Sequence, residues 1–177
     1  NGSFFFSKEN LELYTLQMGQ AVMINDRPQY VIQLLPGGGS EYALRFTMLY
    51  IDMETLAFTR IEQWLDVSDV TKATNEMLVR KPFGLRFRPS EMSLVINYSY
   101  DGRISRISYV RAVFKFTCDW GKKLFRTPFS AVSEMVVTNR YEGAVIPIER
   151  TEAFRRSDTL LDLAQYYFDP DFWKDYN

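Results

Sequence analysis

The sequence predicts a mainly β or α+β fold: a strongly curved, half-barrel-like antiparallel sheet with one C-terminal helix packed on it. Three observations predict it. Aromatic residues that favour half-buried pleated surfaces are abundant, with 14 Phe, 11 Tyr and 3 Trp making 16% of the 177 residues. Two long segments alternate apolar and polar residues with period two around turn signals. Sustained helical spacing occurs near the end of the chain, where Leu160, Leu163, Ala164, Tyr167 and Phe168 recur every three to four residues.

The elements follow in order. Residues 20–25 and 29–35 read as extended around an Asp26-Arg27-Pro28 turn, and Pro36-Gly37-Gly38-Gly39-Ser40 reads as a loop. This loop is a surface connector rather than a phosphate cradle, because Glu41 and a strand follow where a Lys-Ser/Thr pair opening a helix is needed. Tyr42, Leu44, Phe46, Met48 and Tyr50 alternate against polar neighbours. Asp52-Met53-Glu54-Thr55 makes a turn whose Asp can cap backbone donors, and 56–66 is the return strand, with Phe58, Arg60, Glu62 and Trp64 expected on one side. Residues 71–80 fit a short helix or a strand, broken by Lys81-Pro82-Phe83-Gly84.

A second hairpin is expected from Met92 to Trp120 around Asp101-Gly102, a pair suited to a type I′ turn. Its return strand, 103–120, is too long to run unbroken. Ile107 and Tyr109 are out of step with the row Val110, Ala112, Phe114, Phe116, which predicts a bulge or bend there. Gly121-Lys122-Lys123 is the next turn. Residues 124–127 and 129–138 are further strand, and Pro128 marks an edge or bulge. Ser157 or Asp158 caps a helix over 157–168, which Asp169-Pro170 ends. The whole, 1–177, is expected to be a single β-rich domain.

Composition excludes several chemistries. With no histidine, Ser-His-Asp and Cys-His catalysis are impossible. The single cysteine, Cys118, sits between aromatic neighbours and is expected to be a buried apolar residue rather than a nucleophile. The carboxylates Glu62, Asp66, Glu91 and Glu134 lie on or near strands, but no spacing selects two of them as an acid/base pair. Asp169, Asp171 and Asp175 lack the glycine turn and terminal Glu of a calcium loop. The chain is therefore expected to be no enzyme, with no catalytic residue, no metal site and no cofactor.

Net charge is −1, but it is segregated. Residues 1–71 carry 4 basic and 9 acidic groups, 72–126 carry 12 and 4, and 127–177 carry 5 and 9. The basic middle, interleaved with Tyr98, Tyr100 and Tyr109, has the ingredients of a single-stranded nucleic-acid surface, or of one for anionic lipid or acidic glycan. The preferred reading is cross-strand pairing with the acidic flanks, and no nucleic acid is expected as a partner.

Two resemblances attach to particular residues. The stretch from Tyr50-Ile51-Asp52 through Thr55 to Arg60-Ile61-Glu62 resembles a hairpin of lipoprotein-carrier-like (LolA/LppX-type) half-barrels. Arg80-Lys81-Pro82-Phe83-Gly84-Leu85-Arg86-Phe87-Arg88-Pro89, Phe116-Thr117-Cys118-Asp119-Trp120, Ser133-Glu134-Met135-Val136-Val137-Thr138 and Phe172-Trp173-Lys174-Asp175-Tyr176-Asn177 are similar to the C-terminal region of uncharacterised Gram-negative envelope proteins. Those proteins begin with a signal peptide and a carboxypeptidase-regulatory-like domain. The resemblance implies the C-terminal part of a longer exported protein, placed in the periplasm or associated with the outer membrane or cell exterior. It carries over no catalytic residue.

Two function classes follow. One is a binding module whose aromatic-lined groove takes an apolar small molecule, a lipid or another envelope protein, with Phe46, Phe58, Trp64, Tyr98, Phe114 and Phe116 as the candidate lining. The other is a structural or interaction domain in which the same aromatics fill a closed core. No run of apolar residues is long enough for a membrane-spanning helix.

Overall fold

A computed structural model describes residues 11–78, 81, 83–120, 126–141, 143–144, 146–153 and 171. The strands are β1 (Tyr14–Met18), β2 (Val22–Ile24), β3 (Arg27–Pro36), β4 (Arg45–Asp52), β5 (Phe58–Leu65), β6 (Leu85–Tyr100), β7 (Ser105–Trp120) and β8 (Thr127–Val136), with helix α1 (Val70–Met77) after β5. They form one eight-stranded antiparallel sheet in the order β1-β3-β4-β5-β6-β7-β8, with β2 also on β3. The chain divides into a unit of residues 1–139, which holds this sheet, and a unit of residues 140–177. In the second unit the amides of Glu152 and Ala153 close a turn on the Glu149 carbonyl. The helix expected over 157–168 lies outside the described residues.

Turn chemistry fixes the hairpins. Asn25 and Asp26 both take positive φ, 50° and 60°, in the tight β2–β3 turn that pairs Ile24 with Arg27. The turn is thus Asn25-Asp26 rather than Asp26-Arg27-Pro28, and Arg27 and Pro28 belong to the strand. In the β4–β5 turn, Asp52 Oδ1 accepts from the amides of Glu54 and Thr55, as its position predicted. Leu56 belongs to this turn at φ 56°, so β5 begins only at Phe58. The β6–β7 connection is not a two-residue turn. Four residues link Tyr100 to Ser105, Gly102 alone of them has positive φ, and Asp101 Oδ1 accepts from Arg103 and Ile104 amides.

Of the ambiguous 71–80 segment, residues 71–77 belong to helix α1. Asp69 caps it by accepting from Thr71 and Lys72 amides, and Leu78 is already extended. Burial decides the outcome: Ala73 is fully buried against Ala43 and Leu65, with Val67, Met77 and Met92 around them.

β6 and β7 run 16 residues each and are reset twice. Asn97 pairs with Tyr109 but Tyr98 pairs with Ile107, leaving Ser108 as an extra residue. This is the fault that the phase of Ile107 and Tyr109 predicts. A second shift leaves Ser90 unpaired between Pro89 and Glu91. Pro128 lies on β8, at a sheet edge as expected.

Register and alternation define two faces. One is apolar. A single row crosses it through Ile32, Leu49, Ile61, Ile96, Val110 and Met135. Leu34, Leu49 and Ile61 are its buried centre, with Leu11, Tyr14 and Tyr98 packed on them. α1 covers the neighbouring stretch, where Arg45 of this face pairs with Glu76 at 2.5 Å. The opposite face is charged and aromatic.

Candidate functional site

The six aromatic residues expected to share a groove lie in separate places. Phe46 and Trp64 pair directly across β4 and β5 on the charged face, with rings stacked at 5.9 Å and 15°. Phe58 is not aligned with Trp64, because a register shift at Thr59 sets it opposite Ile51. Tyr98, Phe114 and Phe116 belong to the apolar face, where Tyr98 packs on the Leu34–Leu49–Ile61 cluster. A common lining is therefore ruled out: Phe46 and Trp64 stand with their backs to Phe114 and Phe116.

On the apolar face, three rings form a ladder across three strands. Phe87 of β6 lies 4.8 Å from Phe116 of β7, and Phe129 of β8 stacks on Phe116 at 5.3 Å and 17°. Burial falls along it, from Phe87 at 6% exposed to Phe129 at 46%. The aliphatic row shows the same trend, with Leu49 and Ile61 buried and Met135 48% exposed. Beside the ladder, a hollow of about 100 Å³ is lined by Met92, Leu94, Ala112 and Phe114 together with Arg45 and Gln63. Cys118, opposite Phe87, is half-buried rather than fully buried.

The charged face shows what the basic middle does. Arg86 faces Asp119, Lys115 faces Glu91 at 2.6 Å, and Arg111 faces Glu134, each directly across the strands, while Arg106 pairs with Asp101. Three of these acids lie inside 72–126, and Glu134 comes from the flank. Such exposed pairs stabilise by about 0–1 kcal/mol each. The strand carboxylates are committed too. Glu62 accepts from Tyr50 at 3.2 Å and pairs with Arg60, and Tyr109 donates to Glu134 at 2.5 Å. Burial, then the Glu62 charge, raises the Tyr50 phenol above its ordinary range, and the Glu134 hydrogen bond does the same for Tyr109. The Lys115 hydrogen bond, then that of Ser93, lowers Glu91.

A cleft of about 550 Å³, unforeseen in the sequence, opens where the β2–β3 and β4–β5 turns approach the far end of β6. Its floor is organised by Asp52, which is 3% exposed. Asp52 Oδ2 accepts from Arg27 Nε at 2.5 Å and Gln29 Nε2 at 3.5 Å; Oδ1 accepts from Arg27 Nη2, the Glu54 and Thr55 amides and the Thr55 hydroxyl. The Arg27 bond, above all, holds the Asp52 carboxyl far below the usual carboxylate range. Gln29, 1% exposed, accepts from the Thr59 hydroxyl at 2.8 Å. Arg60 and Asn97, paired in register, stand on the opposite wall.

Among the described residues there is no cluster of three or more His, Cys, Asp or Glu able to hold a metal ion, and no helix long and apolar enough to cross a membrane. No family model, curated protein or solved structure matches this chain.

Proposed function

We propose that the protein is a non-catalytic binding module of the cell envelope that receives an apolar or lipidic ligand, or the apolar surface of a protein partner, on the face carrying Phe87, Phe114, Phe116 and Phe129. The observation that carries this reading is the passage of one apolar surface from buried at Leu49 and Ile61 to open at Phe129 and Met135. Within the described residues of the sheet unit, β8 is exposed along all ten residues. Contiguous open apolar surface of this kind is where ligands and partners dock. A stronger curl of β6–β8, as in the half-barrels the β4–β5 hairpin resembles, deepens this face into a groove. The envelope setting is supported by the resemblance of 80–89, 116–120 and 133–138. The non-catalytic reading is supported by the ion pairs and hydrogen bonds that occupy Glu62, Glu91 and Glu134.

The test is displacement of a dansyl-labelled fatty acid. The expected result is a saturable emission rise, reversed by oleate, weakened in Phe116→Ser and unchanged in Trp64→Ser on the other face. Absence of saturation, or equal weakening by both substitutions, leaves a purely structural domain.

A further inference from the structure

The polar cleft carries an inference independent of the apolar face. We propose that it binds a small hydroxylated carboxylate of the sugar-acid type, with Arg60 at the carboxylate and Asn97 beside it. Its volume of about 550 Å³ falls in the range of small-molecule sites, about 300–1,000 Å³.

The chemistry follows from which groups are already spent. Asp52 accepts six hydrogen bonds from Arg27, Gln29, Glu54 and Thr55, so it is saturated and offers a ligand nothing. Two guanidinium groups, of Arg27 and Arg60, line the cleft against this one carboxylate. Arg27 is already shared between Asp52 and Glu54, so Arg60, held by Glu62 alone, is the guanidinium left to receive a carboxylate.

Arg60 is also incompletely satisfied. One terminal nitrogen pairs with Glu62 at 2.6 Å, but Nε is shut off from solvent and has no hydrogen-bond partner. An unmet buried donor costs about 1–3 kcal/mol, so the guanidinium gains by turning toward a carboxylate held in the cleft. Arginine offers such a group two parallel N–H donors.

The hydroxyl groups of the wall specify the rest of the ligand. Thr55 gives its proton to Asp52, Thr59 to Gln29, Ser108 to the Asn97 carbonyl and Tyr100 to the Gly102 carbonyl. With their protons spent, these oxygens present lone pairs, and lone pairs select a ligand rich in O–H donors. A carboxylate at one end and hydroxyls along the rest meet both demands. The wall is set in advance, because Gln29 and Asp52 are buried and mutually bonded, which lowers the ordering cost of binding.

The experiment is a nitrogen-15 NMR titration with sodium D-glucuronate, matched by sodium chloride and by D-glucose. The expected result is saturable movement of the Thr55, Thr59 and Asn97 amides with glucuronate, and affinity at least about tenfold lower for glucose and for Arg60→Gln, the loss of one charge-assisted pair. Asn97→Asp, which adds a negative charge without adding volume, is expected to lose binding with the β7–β8 amides unmoved. It decides the matter if Arg60→Gln fails to fold. Absence of saturable movement, equal binding of glucose, or unchanged affinity in Asn97→Asp overturns the proposal. None of these outcomes bears on fatty-acid displacement at the apolar face.

Discussion

Arg27 and Asp52 are bonded twice, Nε to Oδ2 at 2.5 Å and Nη2 to Oδ1 at 2.9 Å, across 25 residues of sequence. The pair ties the start of β3 to the end of β4 and extends to Glu54, which accepts from Arg27 at 2.9 Å. One carboxylate thus closes its own turn and clamps the next hairpin to it.

Asp52→Asn keeps an acceptor for the turn amides but removes the charge that Arg27 needs. Arg27 is 47% exposed and keeps Glu54, so the cost falls at the buried Asp52 position, where the charge-assisted bonds from Arg27 are weakened. The expected outcome is a fall in melting temperature on the order of 10 °C, read by circular dichroism.

The same carboxylate sets an acid limb. Asp52 titrates far lower folded than unfolded, chiefly through the Arg27 bond; Asp66, through Ser68, and Glu91, through Lys115, are lowered too. Unfolded carboxyls take up protons near about pH 4. Below that pH the unfolded chain binds more protons than the native one. The stabilisation is therefore complete above about pH 4 and lost as pH falls toward the native values. Urea midpoints between about pH 2 and 6 are expected to drop on acidification, less steeply in Asp52→Asn. Parallel slopes in the two proteins refute the assignment.

Leu56 holds φ 56° while 69% exposed, a conformation costly for a branched residue and tolerated by Asn. Leu56→Asn sacrifices almost no burial. It is expected to raise stability by about 1 kcal/mol, measured by urea unfolding; a loss instead shows that the Leu56 side chain packs in solution.

Leu65 sits at 4% exposure between Ala43 and Ala73, where α1 meets the sheet. Leu65→Ala is expected to cost about 2–5 kcal/mol through lost transfer energy and a cavity. A cost near that of a surface substitution shows that α1 is undocked.

What the sequence revealed was local. Alternation exposed the β4–β5 and β6–β7 hairpins, and a break in its phase exposed the Ser108 bulge two residues before the in-step row begins at Val110. α1 was ambiguous because eight residues span barely two turns, too few for a helical period to outvote alternation. The aromatic groove was misjoined for a related reason. Alternation assigns a side only within one strand; setting Phe46 against Phe114 needs the register between strands, and the shift at Thr59 separates even Phe58 from Trp64. The cleft was hidden more deeply, since Arg27, Asp52, Arg60 and Asn97 come from four strands and their meeting is written in no local pattern.

The Phe87–Phe116–Phe129 ladder yields a prediction that separates stability from binding. Phe87 is buried, so Phe87→Ala removes a large side chain from a packed site and is expected to cost about 3–5 kcal/mol. Phe129 is nearly half exposed at the edge strand, so Phe129→Ala forfeits mainly its stacking on Phe116, worth about 0.5–1.5 kcal/mol. Were the ladder only packing, binding of a fatty-acid probe would follow stability, and Phe129→Ala would be nearly silent. If the open end of the face is the docking surface, Phe129→Ala is expected to weaken the probe by about tenfold, a loss of about 1.4 kcal/mol of contact, while its urea midpoint falls far less than that of Phe87→Ala. Paired titrations and urea melts of Phe129→Ala and Phe116→Ser decide between the two. Probe affinity unchanged in Phe129→Ala removes the ladder from the binding surface.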